Sequence, residues 1–116
     1  MKSKQLKVCF APNGKLLLSP KKGVDAWQTN HGITAAETSE LTIALASLEL
    51  REDAVALLSK ILWHQDRDGG WWTGHVYLED IFWPPEKPTW TGAAVILAID
   101  AIEELTHGHR LFKDHL

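Results

Sequence analysis

The chain has 116 residues, 45% of them hydrophobic and 23% charged, with a formal net charge of −3, which fits one ordinary globular domain with a modest core. That weak negative charge excludes the basic footprint of a nucleic-acid or anionic-membrane binder, and a single cysteine, Cys9, excludes an internal disulfide or a Cys-rich zinc site. No signal peptide is visible and the longest apolar run, 93–99, is too short to span a bilayer, so the expectation is a soluble, cytoplasmic protein that is not transmembrane.

Residues 1–23 read as a non-helical arm. Leu6, Val8 and Phe10 alternate with Lys7 and Cys9, and Pro12-Asn13-Gly14 is a turn signal, so a short hairpin or an irregular arm is expected before Pro20 and Gly23 break the chain. From Thr34 the period becomes helical. Leu41, Ala44, Leu45 and Leu48 recur at helix spacing, and Thr34 with Glu37 forms a capping-box pattern, which predicts a first helix over about 34–50. Arg51-Glu52-Asp53 is a polar junction. Val55, Leu58, Ile61 and Leu62 line one face of a predicted second helix that ends before the adjacent Gly69 and Gly70.

Residues 65–90 read as loop, yet hold four of the six tryptophans. Gln65 is expected at a helix C-terminus, where its amide can bond orphan carbonyls; Gly69 and Gly70 supply turn geometry. Trp71 can then lie across the turn as a structural staple, with area burial its main contribution. A third helix is predicted from near Thr91, after Pro84, Pro85 and Pro88, and its apolar run is expected to be buried on most sides. The tail 106–116 is tied down only if Leu111 and Phe112 find a groove. The first and third helices look like copies, with Thr34 and Thr91 opening each, which suggests stacked helical hairpins.

The motif at 65–71, Gln-Asp-Arg-Asp-Gly-Gly-Trp, resembles the Q…G-x-W repeat of squalene–hopene cyclases and of protein prenyltransferase β subunits. The stretch 68–102 is similar to the C-terminal part of bacterial prenyltransferase-like and terpene-cyclase-like toroids, the stretch 26–45 looks like the preceding repeat, and the resemblance covers about 24–112. It implies an all-α fold of helical hairpins from an α/α toroid, a partial ring over 24–116, and parent activity on a hydrophobic isoprenoid substrate. It further implies a central cavity in which Trp72, Tyr77, Trp83 and Trp90 would bind substrate and stabilise a carbocation. The residue-level alternative is that these rings fill the core under a proline-rich loop.

Asp80 and Glu86 are the catalytic candidates, because a carboxyl group in a poorly hydrated aromatic cavity can move a proton; loop solvation or helix capping is the competing reading. The structural-motif residues are Gln65, Gly70 and Trp71. Asp66 and Asp68 form a D-x-D, read as turn capping rather than magnesium ligation. Six histidines show neither H-E-x-x-H nor Cys/His zinc spacing, so no metal or cofactor is expected. The D-x-D-D of the cyclases and the D-D-x-x-D of isoprenyl diphosphate chemistry are absent. A partial ring exposes an apolar face, so a remnant of a longer enzyme is expected first, a homo-oligomer or a complementary toroid chain second. The alternative function is a non-catalytic helical repeat module that binds a protein, lipid or sugar through its Trp-rich loop.

Overall fold

The computed structural model describes residues 17–19, 23–27 and 32–113. The fold is mixed α/β. Three α-helices, α1 (Ala35–Ser47), α2 (Arg51–Ser59) and α3 (Thr89–Glu103), pack beside an antiparallel sheet. Its strands lie in chain order: β1 (Leu17–Ser19), β2 (Gly23–Trp27), β3 (Gly32–Thr34), β4 (Gly74–Val76) and β5 (Ile81–Phe82). The expectation of an all-α toroid is therefore corrected. The alternation Leu6, Val8, Phe10 lies outside the described residues.

The missed strands have a common physical cause. None of β3, β4 and β5 exceeds three residues, too few for an alternating pattern to show. Pairing defines them instead: Ile33 lies opposite His75, and His75 in turn lies opposite Phe82. The segment read as one long loop thus contains a hairpin, closed by the four residues 77–80, with Asp80 at φ 54° in the left-handed region that aspartate tolerates.

Thr34 ends β3 and caps α1 at the same time, so the helix starts one residue later than expected. Its hydroxyl donates to the Glu37 carboxylate and makes no bond to a backbone N–H, so the two residues of the predicted capping box meet each other instead of the helix end. The buried face of α1 also differs from the predicted one: Ala44 and Leu48 are exposed, while Thr38, Ser39 and Thr42 are fully buried. Each of those hydroxyls donates to the carbonyl four residues back, at 2.6, 2.7 and 2.8 Å. That bond lets a hydroxyl enter the core without an unmade hydrogen bond, so hydrophobicity alone pointed to the wrong face.

The polar junction at 51–53 is the first turn of α2, where Glu52 and Asp53 complement the helix dipole. Ala54, Leu57 and Leu58 bury, and a 3-10 turn at Leu62–His64 follows; Val55 and Leu62 face solvent instead of the core. α3 begins at Thr89 and buries Val95, Ala98 and Ile102. It is not buried on most sides as expected, since Ile96 is 66% and Leu97 45% exposed. The core joins the three helices to Ile33, Ile61 and Trp71. Asp100 closes the end of α3, accepting from the Thr106 backbone N–H at 2.8 Å and its hydroxyl at 2.7 Å. Those bonds hold the Asp100 carboxyl below its usual range.

Candidate functional site: an aromatic and histidine face

The site grows from the turn after the 3-10 helix. Gln65 and Trp71 pair as an isolated antiparallel bridge, and Asp66 N–H donates to the Gly70 carbonyl at 2.8 Å. Gly69 sits at φ +87°, which requires glycine in practice. The Gln65 side-chain amide donates to the Gly69 carbonyl at 3.3 Å, within this turn rather than onto a helix end. Asp68 accepts the Gly70 N–H at 2.8 Å. The Lys87 ammonium then bridges Asp66 at 2.7 Å and Asp68 at 2.5 Å. Lys87 holds both carboxyls below their ordinary range, and they raise the lysine in return. The D-x-D thus pins the proline-rich segment to the turn. A Cβ at Gly70 would lie 3.2 Å from the Lys87 side chain, so this position favours glycine for space as well.

Trp71 and Trp72 enter different neighbourhoods. Trp71 is buried in the helical core. Trp72 is half-buried and stacks on Phe82, with ring centroids 5.2 Å apart and planes at 12°. The Lys87 ammonium lies 5.0 Å from the Trp72 ring centre, a cation–π contact. Phe82 meets Trp63, His64 and His75 at 5.3, 5.6 and 5.5 Å. Trp63 also meets His64 and His75 edge to face, both at 4.6 Å. Six side chains, from the 3-10 turn, the segment after the glycine turn, the hairpin and the loop before α3, therefore make one continuous face.

The two histidines differ. His75 Nε2 lies 2.9 Å from Asp80 Oδ1, with the imidazole buried and the carboxylate side chain 90% exposed. His64 is fully buried, and neither ring nitrogen has a hydrogen-bond partner. Burial pushes its pKa down to about 4, and the neighbouring His75 adds to the effect, while the Trp72 backbone acts the other way. His64 is therefore a neutral ring in an aromatic cluster at neutral pH.

The other predicted site residues are spread around this face. Tyr77 is half-buried against the core and Asp80 pairs with His75. Glu86 is exposed, and its backbone carbonyl accepts from the Thr73 N–H at 3.2 Å. Trp83 and Trp90 are 54% and 56% exposed, and Trp83 precedes a cis proline peptide. Sequence reasoning did not single out Trp63, His64, His75, Phe82 or Lys87 as residues of a site. The available signal was the crowding of His64, His75 and Phe82 around the tryptophans, but the histidines were weighed only as metal ligands. Among the described residues no three His, Cys, Asp or Glu side chains converge as a metal site, and no helix is long and apolar enough to cross a membrane.

No family model matches the chain. It is 37% identical over 94 residues to an MMP endo-(1,4)-3-O-methyl-alpha-D-mannosidase of Mycolicibacterium hassiacum, a match that takes in 81% of this chain and 26% of that protein. The chain thus spans about a quarter of the length of the curated relative it matches. This similarity overturns the resemblance to prenyltransferases and terpene cyclases, and with it the isoprenoid reading. That resemblance rested on Gln65, Gly70, Trp71 and a crowd of tryptophans, and these residues build a tight turn and an aromatic face that no one chemistry owns.

Proposed function

We propose that this chain is a carbohydrate-handling segment related to the glycosidase, and that its aromatic face holds a methylated mannose chain. The observation that carries the reading is the 37% identity to the methylmannosidase along 81% of this chain. The face supports it chemically. A 3-O-methyl group removes one hydroxyl donor from a sugar and adds an apolar methyl. Such a ring suits aromatic surfaces with a few placed polar groups better than a purely polar cleft. Trp63 is 53% exposed and lies on the half-buried Phe82, with Trp72 stacked on the same ring. Asp80, on its hairpin turn beside His75, can accept hydrogen bonds from sugar hydroxyls at this edge. Glu86 is the second acidic candidate, next to Lys87. The sugar-binding form of the Trp-rich loop thus replaces the isoprenoid reading.

The test is a titration of tryptophan fluorescence with α-1,4-linked oligomers of 3-O-methylmannose, alongside the unmethylated oligomers. The methylated series should shift the emission and bind more tightly. Trp63→Ala should weaken binding by roughly 10-fold, the loss of about 1.4 kcal/mol expected for one stacked ring. Its melting temperature should fall by less than that of Trp71→Ala, because the ring is already half in water, and the variant should stay folded. A folded chain that gives no response to the methylated oligomers would overturn the reading.

A further inference from the structure

The outer side of α3 has the composition of an interior. Between Thr89 and Ile102 its one ionisable side chain is Asp100, and that carboxylate is occupied by Thr106. Solvent-facing helices ordinarily carry charge on the outer stripe; here Ile96 and Leu97 occupy it. Grooves flank the helix on both sides. One, of about 520 Å³, runs between α1 and α3, with Ile43, Leu48, Leu97 and Phe112 in its walls. A second, of about 740 Å³, lies between the glycine turn and α3, lined by Trp71, Gly92 and Ile96 among others. A third, of about 290 Å³, separates α2 from α3 beside Leu62 and Ile99. Each lining holds one charged residue: Glu40, Lys87 and Glu103 respectively.

We propose that this outer face of α3 is a packing surface for one occupant: the polypeptide that corresponds to the rest of the longer mannosidase, presenting apolar side chains to the grooves. About three-quarters of that relative lies outside the matched region, which is ample chain to cover the face. Gly92, Ala93 and Ala94 leave room for close approach of a second helix, since packed helices sit about 8–10 Å apart when their contact residues are small enough. Gly92 has only the Trp71 ring edge near it, at 3.5 Å from where a Cβ would stand. A second copy of this chain fits less well. A two-fold contact centred on α3 buries one helix against its twin and leaves the grooves beside α1 and α2 unfilled, whereas a larger partner has surface enough to enter all three. This surface shares with the sugar-binding reading only the relation to the longer protein, and its test reads assembly alone.

The experiment is co-expression of the full chain with the Mycolicibacterium hassiacum mannosidase from which the matched segment has been removed, followed by light scattering behind a sizing column. That mannosidase's own matched segment, supplied in trans, serves as the control. The expected result is a 1:1 complex with both. The double substitution Ile96→Glu, Leu97→Glu should weaken the complex by at least roughly 100-fold, as loss of two buried apolar anchors predicts. Circular dichroism of the isolated chain should be unchanged, because both side chains already meet solvent. Failure of this chain to join while the control does overturns the proposal, and so does failure of both when circular dichroism shows that the shortened mannosidase is folded. So does a discrete homodimer of this chain alone that the same two substitutions dissociate.

Discussion

Trp71 and Trp72 are neighbours in sequence, but they belong to two regions built on opposite terms. On the side of Trp71 the helices bury a small apolar core and leave the far face of α3 uncovered by the other described residues. On the side of Trp72 each ring finds another ring: Trp72 on Phe82, Phe82 on Trp63, Trp63 on both histidines. The aromatic region is complete within the described residues, even at the cost of burying an unpartnered imidazole. Among the described residues, the helical region stops short of covering its own apolar surface. The difference is one of packing: the aromatic rings support one another while Trp63 stays half exposed, whereas Ile96 and Leu97 meet solvent with no ring or helix over them among the described residues.

The sharpest way to break this contrast is to remove the ring that faces the helices. Trp71→Ala should cost about 3–5 kcal/mol, the usual range for deleting a buried aromatic. That is a large share of the roughly 5–15 kcal/mol that stabilises a domain. Trp72→Ala should cost distinctly less, because that ring is already half in water. Denaturant unfolding of the two variants checks this. Equal losses would mean that the two sides do not differ as their burial says.

The second prediction concerns the aromatic side. His64 has an ordinary pKa near 6.5 when unfolded and about 4 when folded. The folded value is the lower one, so the unfolded chain binds the proton first. Stability from the neutral ring is fully present above pH 6.5 and falls as the pH drops from there toward 4. The gap corresponds to roughly 3 kcal/mol at about 1.4 kcal/mol per pH unit. His64→Phe removes the titration, so the difference in unfolding free energy between the variant and the parent should grow in the variant's favour over that window. A difference independent of pH would show that the ring is not buried neutral.

Much of the helical side was legible in the sequence. The 3.6-residue period placed three helices, and the adjacent glycines marked the turn after the second. Faces were harder to read. Thr38, Ser39 and Thr42 bury through bonds to their own helix, which a hydrophobicity pattern scores as surface, and Ile96 and Leu97 stay exposed, which the same pattern scores as core. The aromatic side was least legible because long-range pairing sets it. His75 meets Phe82 through a hairpin register and meets Ile33 across about 40 residues of chain, and no local period encodes either contact. Asp80 was picked out for its place in an aromatic stretch. Its partner, His75, follows from the hairpin alone.

The smallest predicted effect tests the turn that separates the two regions. Gly69 holds φ at +87°, and nothing lies within 4 Å of where a Cβ would stand, so Gly69→Ala meets no steric obstacle and reports backbone strain alone. A residue with a Cβ in left-handed backbone costs about 1–2 kcal/mol. Gly70→Ala makes the complementary probe. Its backbone is not left-handed, but its new carbon would press on Asp68 at 3.1 Å and on Lys87 at 3.2 Å. The first substitution should lower stability and leave the Lys87 bridge in place. The second should disturb the bridge and, through Lys87, the ring of Trp72 on which its ammonium rests. Tryptophan emission therefore separates the two: a shift from Gly70→Ala with none from Gly69→Ala means that the lysine, rather than the turn itself, couples the glycine motif to the aromatic face.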